Sequence, residues 1–418
     1  MSEKIKVGVF GLSRGMGYAH LINENSEGTF EVVALCDKRE DRLTDGVKSI
    51  PGVVGFSDFD KFMAWGKENG MQIIFLANYF HQHTPFAIKC MENGFDVVSE
   101  CIPCVTMAEC VQLCRCVEKT GRKYMFGENY PFMPGNLELK RVIKEGTLGS
   151  VMYLEAEYNH HDPAQDLLAR SRGKYHWRRW EPRPYYITHT LAPLMYFLDA
   201  MPKYVSAMVS YSQFADEEYT FRAITDGMAQ VMCEFDNGSI GRFSGCNGLA
   251  AGYSCYRAFG DRGSCEWGGL VEGGKMRLNY KSFTCPEGVP DCQTYAIDFD
   301  KLDPRVKIGQ QAGHSGSDFM VVQNMVDAWR DNKPIYFDVY KAAAISACAA
   351  LGLRSCLNHG TSYAIPDFKN EAERKVWEND TLCPFPDENG EGMTIKPGVG
   401  YRPGFLEKCQ ASDEEALS

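Results

Sequence analysis

The sequence predicts an α/β protein, in which an N-terminal doubly wound parallel sheet precedes an α+β domain with a large, mostly antiparallel, open-faced sheet. Three observations carry this. Over roughly the first 125 residues, short apolar runs alternate with helical patterns, as in βαβ units. A glycine-rich turn, Gly11-Leu12-Ser13-Arg14-Gly15-Met16-Gly17, separates the first apolar run from the first helix. After Pro134 the pattern changes to period-two stretches joined by tight turns, which is the pattern of antiparallel strands with one solvated face.

Residues 5–10 read as a buried strand, the turn opens a helix, and 32–36 read as a second strand ending in Asp37. That order is the βαβ unit of a Rossmann dinucleotide-binding fold. Glycines let the backbone approach a pyrophosphate, the helix N-terminus binds its charge, and the terminal carboxylate accepts the ribose hydroxyls. Ser13 and Met16 stand where the fingerprint has its second and third glycines, and Gly15 and Gly17 flank the third position. Asp37 makes NAD the expected cofactor, since a 2′-phosphate would meet its charge; Lys38 and Arg39 follow it, so NADP is disfavoured but not excluded.

An apolar run at 73–77 ends at Asn78, and a helix at 83–93 closes at Gly94. A strand at 96–99 ends at Glu100, a helix at 106–120 closes at Gly121, and a short strand occupies 123–126. Ligands of such sheets lie at the C-terminal strand ends, here Gly11, Asp37, Asn78, Glu100 and Asn129. The residues expected at the cofactor are Gly11, Ser13, Arg14, Gly15, Met16, Asp37, Ala77, Asn78, His83, Glu100, Cys101 and Asn129.

Beyond Pro134, an amphipathic helix at 136–144 leads to an alternating strand at 150–158. One hairpin is expected around Asn237-Gly238 with a type I′ turn, and another around Gly260-Asp261-Arg262-Gly263. Helices are expected at 318–330 and 339–358. Residues 380–418 are polar and rich in Pro and Gly, as in an extended arm or a frayed tail. The expected domains are 1–130 for the dinucleotide, 131–370 for substrate and oligomerisation, and 371–418 as a C-terminal arm.

The 418 residues are 44% hydrophobic and 24% charged, ordinary for a globular protein, with net charge −11. No run of Lys and Arg offers phosphate contacts, so nucleic acid and anionic membranes are poor partners. The first residues run straight into a strand and no apolar run is long enough to span a bilayer, so a cytoplasmic protein without a signal peptide is expected. The 17 cysteines are scattered, which reads as reduced, buried thiols. Cys101-x-x-Cys104 and the Cys110, Cys114, Cys116 group lack a second pair at zinc spacing, so packing is favoured and no metal site is expected.

With these landmarks the chain resembles the glucose-fructose oxidoreductase, inositol dehydrogenase and rhizopine catabolism family (Gfo/Idh/MocA) over roughly residues 4–370. The resemblance is carried by the glycine turn and Asp37, Leu76-Ala77-Asn78 with His83 and Ala87, and Gly94-Phe95-Asp96-Val97-Val98-Ser99-Glu100. Glu128-Asn129-Tyr130, Gly146-Thr147-Leu148-Gly149 and Gly313-His314-Ser315-Gly316-Ser317-Asp318 continue it. It implies an NAD(P)-dependent enzyme acting on a secondary alcohol of a sugar or cyclitol, with the substrate between the nicotinamide and the second domain's sheet. Where the family carries Glu-Lys-Pro, this chain has Glu100-Cys101-Ile102-Pro103, without the lysine that helps move the hydroxyl proton. The family's Asp-x-Gly-x-x-x-His run is also absent. In its place, Tyr185-Tyr186-Ile187-Thr188-His189-Thr190-Leu191-Ala192-Pro193 resembles the Tyr-x-Thr-His-x-Leu-x-Pro segment of a carbohydrate-active branch that includes NAD-dependent α-N-acetylgalactosaminidases and sugar 3-dehydrogenases. Glycosidases of that branch keep NAD bound, oxidise C3, eliminate the aglycone, add water and reduce the ketone again.

Oxidising a carbinol needs a hydride acceptor beside the C–H and a base beside the O–H. With Cys101 in the lysine's place, His189 is the expected base, because imidazole titrates near neutrality; the bland alternative is a histidine capping the helix at 191–198, with Pro193 in its first turn. Tyr158 and His160 stand where a strand runs into a loop, so a phenol beside the base could polarise a hydroxyl; solvated loop residues are the alternative. A metal on Glu157, His160 and His189 is conceivable but not expected. Trp177, Arg178, Arg179 and Trp180 form an aromatic-basic loop suited to a sugar ring, or equally a packing tryptophan with surface arginines. Tyr130, Tyr186 and His314 complete the expected substrate contacts, with Tyr130 at the nicotinamide end; Asp318 or Ser317 reads as an N-cap, and Cys101 as a neighbour filling space beside the cofactor. The expectation is an NAD-dependent sugar or glycoside dehydrogenase. An NAD-retaining glycosidase and a non-catalytic binding protein are the alternatives, and the open sheet face implies a homo-oligomer.

Overall fold

The computed structural model describes residues 3–160, 175–211, 226–247, 252–269 and 274–401. Residues 161–174 of the loop expected after His160 and residues 402–418 of the expected arm lie outside them. The chain divides into two compact units. One comprises Met1–Pro134, Phe299–Ala343 and Phe368–Asn379; the other comprises Gly135–Asp298, Ala344–Asp367 and Asp380–Ser418.

In chain order the first unit opens with β1 (Ile5–Phe10), α1 (Gly15–Asn25), β2 (Phe30–Cys36), α2 (Glu40–Ser49), β3 (Val54–Phe56), α3 (Phe59–Glu68) and β4 (Ile73–Leu76). It continues with α4 (His83–Glu92), β5 (Asp96–Ser99), α5 (Met107–Thr120) and β6 (Tyr124–Phe126). The strands form one parallel sheet in the order β3-β2-β1-β4-β5-β6. All four residues of β4 are buried, as covering on both faces of a parallel sheet requires. A reciprocal capping box of Thr106 and Glu109 starts α5, and Gly121 at φ 64° ends it.

The second unit follows with α6 (Pro134–Lys144), β7 (Val151–Asn159), α7 (Trp177–Trp180), α8 (Thr188–Leu198), β8 (Pro202–Ser210), β9 (Met228–Phe235) and β10 (Ile240–Asn247). Then come β11 (Tyr253–Gly260), β12 (Gly263–Gly268), β13 (Lys275–Tyr280) and β14 (Cys292–Ala296). After α9 (Pro304–Gly309), α10 (Ser317–Trp329) and α11 (Val339–Leu357), β15 (Tyr363–Ala364) completes a nine-stranded sheet ordered β14-β13-β12-β11-β7-β10-β9-β8-β15. Among the described strands of this sheet only β7 and β10 pair in parallel. One face carries exposed Tyr204, Met208, Met232 and Ile240 beside an ion-paired stripe in which Arg242 and Arg257 bracket Glu155 at 2.9 and 3.0 Å.

Several expectations need correcting. The turn at Asn237-Gly238 is not type I′, which needs positive φ at both central residues; Gly238 alone is left-handed (φ 81°), donating to the Phe235 carbonyl as a type I turn with a bulge does. Trp177–Trp180 is a helical turn rather than a loop. Helix α10 packs in the first unit, not in a continuous second domain, because its apolar side chains are buried there and Gln323 donates to the Asn25 carbonyl at 2.6 Å. The arm is not frayed over its described part. Asp380 pairs with Arg354, Phe385 meets Tyr185 edge-on, and the Val399 and Gly400 amides donate to the buried Asp226 carboxylate.

Candidate active site

In the first unit the expected cofactor residues converge on the C-terminal edge of the parallel sheet. Gly11 sits at φ 93°, and a Cβ there would lie 2.3 Å from the Ala77 carbonyl oxygen, so only glycine lets the turn cross the end of β4. Gly15 begins α1, and its Cβ would meet Val9 Cγ1 at 2.8 Å; it therefore does the work of the third fingerprint glycine, holding helix close to strand. Gly17 faces open space, so it has no such role. Ser13 is exposed at the turn, and Met16 lies against Gly46 of α2.

Asp37 is buried at the end of β2, accepting from the Leu12 amide at 2.6 Å and the Arg39 amide at 2.8 Å. Both Asn78 side-chain polar atoms are buried without a hydrogen-bond partner among the described residues, an arrangement that costs about 1–3 kcal/mol unless a ligand supplies partners. His83 is buried with Nδ1 2.8 Å from the Ile102 carbonyl oxygen, and burial pushes its pKa down, so it anchors the loop after β5 as a neutral ring. These groups fit NAD: a glycine-only backbone approach, an open helix start, an orphaned amide and a ribose acid lie along one strand edge. Gly11, Gly15, Asp37 and Asn78 would hold it.

A second cluster in this unit centres on Asp318. Its carboxylate takes a bidentate fork from Arg14 (2.8 and 2.5 Å), Asn129 Nδ2 at 2.7 Å and His314 Nδ1 at 2.8 Å. Arg14 also reaches Glu100 at 3.2 Å. Burial alone would raise the Asp318 carboxyl, but the His314 and Arg14 hydrogen bonds outweigh it and hold it below the usual carboxylate range. Asp318 is therefore no helix cap: Gly316 is the N-cap of α10 and makes no side-chain cap. Arg14, Asn129 and His314, expected at cofactor or substrate, are tied into this hub. The Tyr130 amide donates to Glu128 at 3.1 Å, and the Cys101 thiol lies 3.4 Å from Glu100 and 3.8 Å from Glu128.

In the second unit His189 lies in the first turn of α8 and is buried. Its ring meets Tyr158 at 5.0 Å and Tyr186 at 5.1 Å, nearly perpendicular to both, while those two rings lie almost parallel 6.1 Å apart. His160 is 5.7 Å from Tyr158. Ser244 on β10 locks this cluster, its hydroxyl accepting from the Tyr158 amide at 2.8 Å and its carbonyl from Thr190 Oγ1 at 2.7 Å. Pro193 sits inside α8, not in its first turn, and so cannot donate to the His189 carbonyl one turn earlier. Tyr256 supplies that missing donor from β11, at 2.6 Å. Sequence reading missed Ser244 and Tyr256, which look like ordinary strand residues; a proline four residues after His189 was the available signal for Tyr256. Trp177 is buried with the Arg178 guanidinium 4.3 Å above its ring. Glu157 accepts from Tyr253 at 2.6 Å on the sheet face and faces Arg242 and Arg257.

The fold and site define an NAD-binding oxidoreductase class, and comparison with known proteins agrees. Residues 5–128 match the family of oxidoreductases with an NAD-binding Rossmann fold, and 136–266 match its Gfo/Idh/MocA C-terminal domain. The chain belongs to the Gfo/Idh/MocA oxidoreductase family, and residues 296–375 further match the C-terminal domain of glycosyl hydrolase family 109. A glycosyl hydrolase family 109 protein of Shewanella sp. (strain ANA-3) is 24% identical over 420 residues, covering 91% of this chain and 87% of its own. An alpha-N-acetylgalactosaminidase of Shewanella oneidensis is 23% identical, covering 90% and 87%. Levoglucosan dehydrogenase, solved with NADH and L-sorbose, superposes with a TM-score of 0.72 at 14% identity, over 88% of this chain and 100% of that one. No described helix is long and apolar enough to cross a membrane.

Proposed function

We propose that this protein oxidises a secondary hydroxyl, C3, of a sugar or glycoside with NAD, and that His189 is the general base. The observation that carries the reading is the His189 ring held edge-on between Tyr158 and Tyr186 in a helix turn whose freed carbonyl is tied by Tyr256. Such a ring would keep one orientation while it accepts and returns a proton, and Tyr158 would polarise the same hydroxyl. NAD, when bound, accepts a hydride from the carbinol carbon and can return it. Trp177, Arg178, His160, Tyr186, Tyr130 and His314 are proposed substrate contacts, and Arg14, Cys101 and Asn129 are proposed to border the cofactor.

A second reading is favoured by the relatives of matching length named as family 109 glycosyl hydrolases. A C3 ketone acidifies the C2 hydrogen, so a base can remove it as the C1–oxygen bond to the aglycone breaks; water then adds at C1 and the ketone is reduced again. We also propose a cytoplasmic protein that assembles as a homo-oligomer through the sheet face bearing Met208, Met232 and Ile240.

Purified protein mixed with a panel of glucosides and galactosides tests these readings, with absorbance at 340 nm and released aglycone followed together. NADH with an intact oxidised glycoside supports the dehydrogenase; aglycone without net NADH supports the cleavage cycle. Neither signal from NAD-loaded protein overturns both in favour of a binding protein. His189→Asn is expected to lower kcat by about 10²–10⁴-fold while bound NAD is retained.

A further inference from the structure

The chain carries a cation in the place where a 2′-phosphate reader would stand, yet its local structure neutralises it. The Arg39 amide donates to Asp37 at 2.8 Å, so the Arg39 side chain starts beside the carboxylate expected at the ribose. Arg39 is also the N-cap of α2, and Asp41 lies in that helix's first turn. The Arg39 guanidinium meets Asp41 as a fork, with Nε 3.0 Å from Oδ1 and Nη2 on Oδ2. Two of the five guanidinium donors and its charge are thus committed to a carboxylate two residues away.

We propose that Asp41 is a specificity residue that keeps this protein NAD-selective by holding Arg39, a latent cation for a 2′-phosphate. Two negative groups then stand against NADP: Asp37 repels the 2′-phosphate directly, and Asp41 withdraws the cation that would offset that repulsion. The pair is partly exposed, with side-chain accessibilities of 30% for Arg39 and 60% for Asp41, so the hold is modest and open to competition by a phosphate. The inference rests on NAD binding by the first unit and is independent of the sugar chemistry.

The full chain is equilibrated with equal concentrations of NAD and NADP, freed of unbound nucleotide, and the released nucleotides are quantified by chromatography. Wild type is expected to hold mainly NAD. Asp41→Asn should raise the NADP-to-NAD ratio about two- to fivefold, the reach of an exposed ion pair, at unchanged total occupancy. The same gain should appear on an Asp37→Ser background and vanish when Arg39→Ser is added. An unchanged ratio in Asp41→Asn, or a gain that survives loss of Arg39, overturns the proposal. The readout is bound nucleotide, so failure of the proposed reaction would leave the result standing.

Discussion

In the first unit the groups expected to face a nucleotide sit at the ends of neighbouring parallel strands, each one step along the chain from an apolar run. In the second unit His189, Tyr158 and Tyr186 come from a helix, a strand and a turn, and hold one another through ring edges and through Ser244 and Tyr256. The first site is mainly backbone geometry enforced by glycine. The second is side-chain geometry enforced by a sheet. Substitutions that act on backbone space should therefore empty the first site of its nucleotide, whereas substitutions in the second should change turnover and leave the nucleotide bound.

The largest effect is expected at Gly11. Gly11→Ala would bring a methyl 2.3 Å from a backbone oxygen at positive φ, costing at least about 3 kcal/mol and abolishing NAD retention, read by thermal melting and by nucleotide release. If Gly11→Ala kept its nucleotide, the contrast between a backbone-built and a side-chain-built site would fall.

Next comes Asp318→Asn, which leaves Arg14 and His314 against a neutral partner and should cost about 1–3 kcal/mol. The Asp318 carboxyl is depressed in the folded state, so its contribution is full above the ordinary value of 3.8 and is lost as pH falls through the folded value. The gap in Tm between wild type and variant should stay constant near neutrality and close in acid; a gap that persists in acid would remove charge from the explanation.

Tyr256→Phe should cost about 1–2 kcal/mol, because the His189 carbonyl freed by Pro193 loses its buried donor. It should also lower kcat more than it weakens NAD binding, which equilibrium nucleotide binding measured beside turnover will separate. The smallest effect, and the sharpest control, is Gly17→Ala. With nothing among the described residues within 4 Å of the new methyl in a helix interior, it should stabilise by about 0.5–1 kcal/mol, whereas Gly15→Ala, two residues earlier, must displace Val9. Melting curves of the two variants should move in opposite directions.

Much of the first unit is legible in one dimension because its signals are local. Apolar runs become strands, Gly11 and Asp37 mark their ends, and Thr106, Glu109 and Gly121 punctuate α5 within a few residues of where the chain needs them. Asp318 shows the limit of such reading. An acid before a helix looks like a cap, and only a contact spanning 304 positions to Arg14 makes it a hub. Likewise the local sequence left Trp177 open between a stacking platform and a packing residue, and its burial and the overlying Arg178 guanidinium come only from the fold.

The sequence alone determined the parallel sheet, the strand-end positions and the acid that points to NAD, because hydrophobic period, glycine conformational freedom and charge act over a few residues. Tertiary structure alone decided that Gly15 rather than Gly17 does the work of the third fingerprint glycine, that α10 packs with the first unit, and that His189 is framed by two tyrosines with its carbonyl held by Tyr256. Those outcomes depend on which atoms lie within a few ångströms across distant parts of the chain; a local pattern such as Pro193 can show that a partner is needed, but not which residue supplies it.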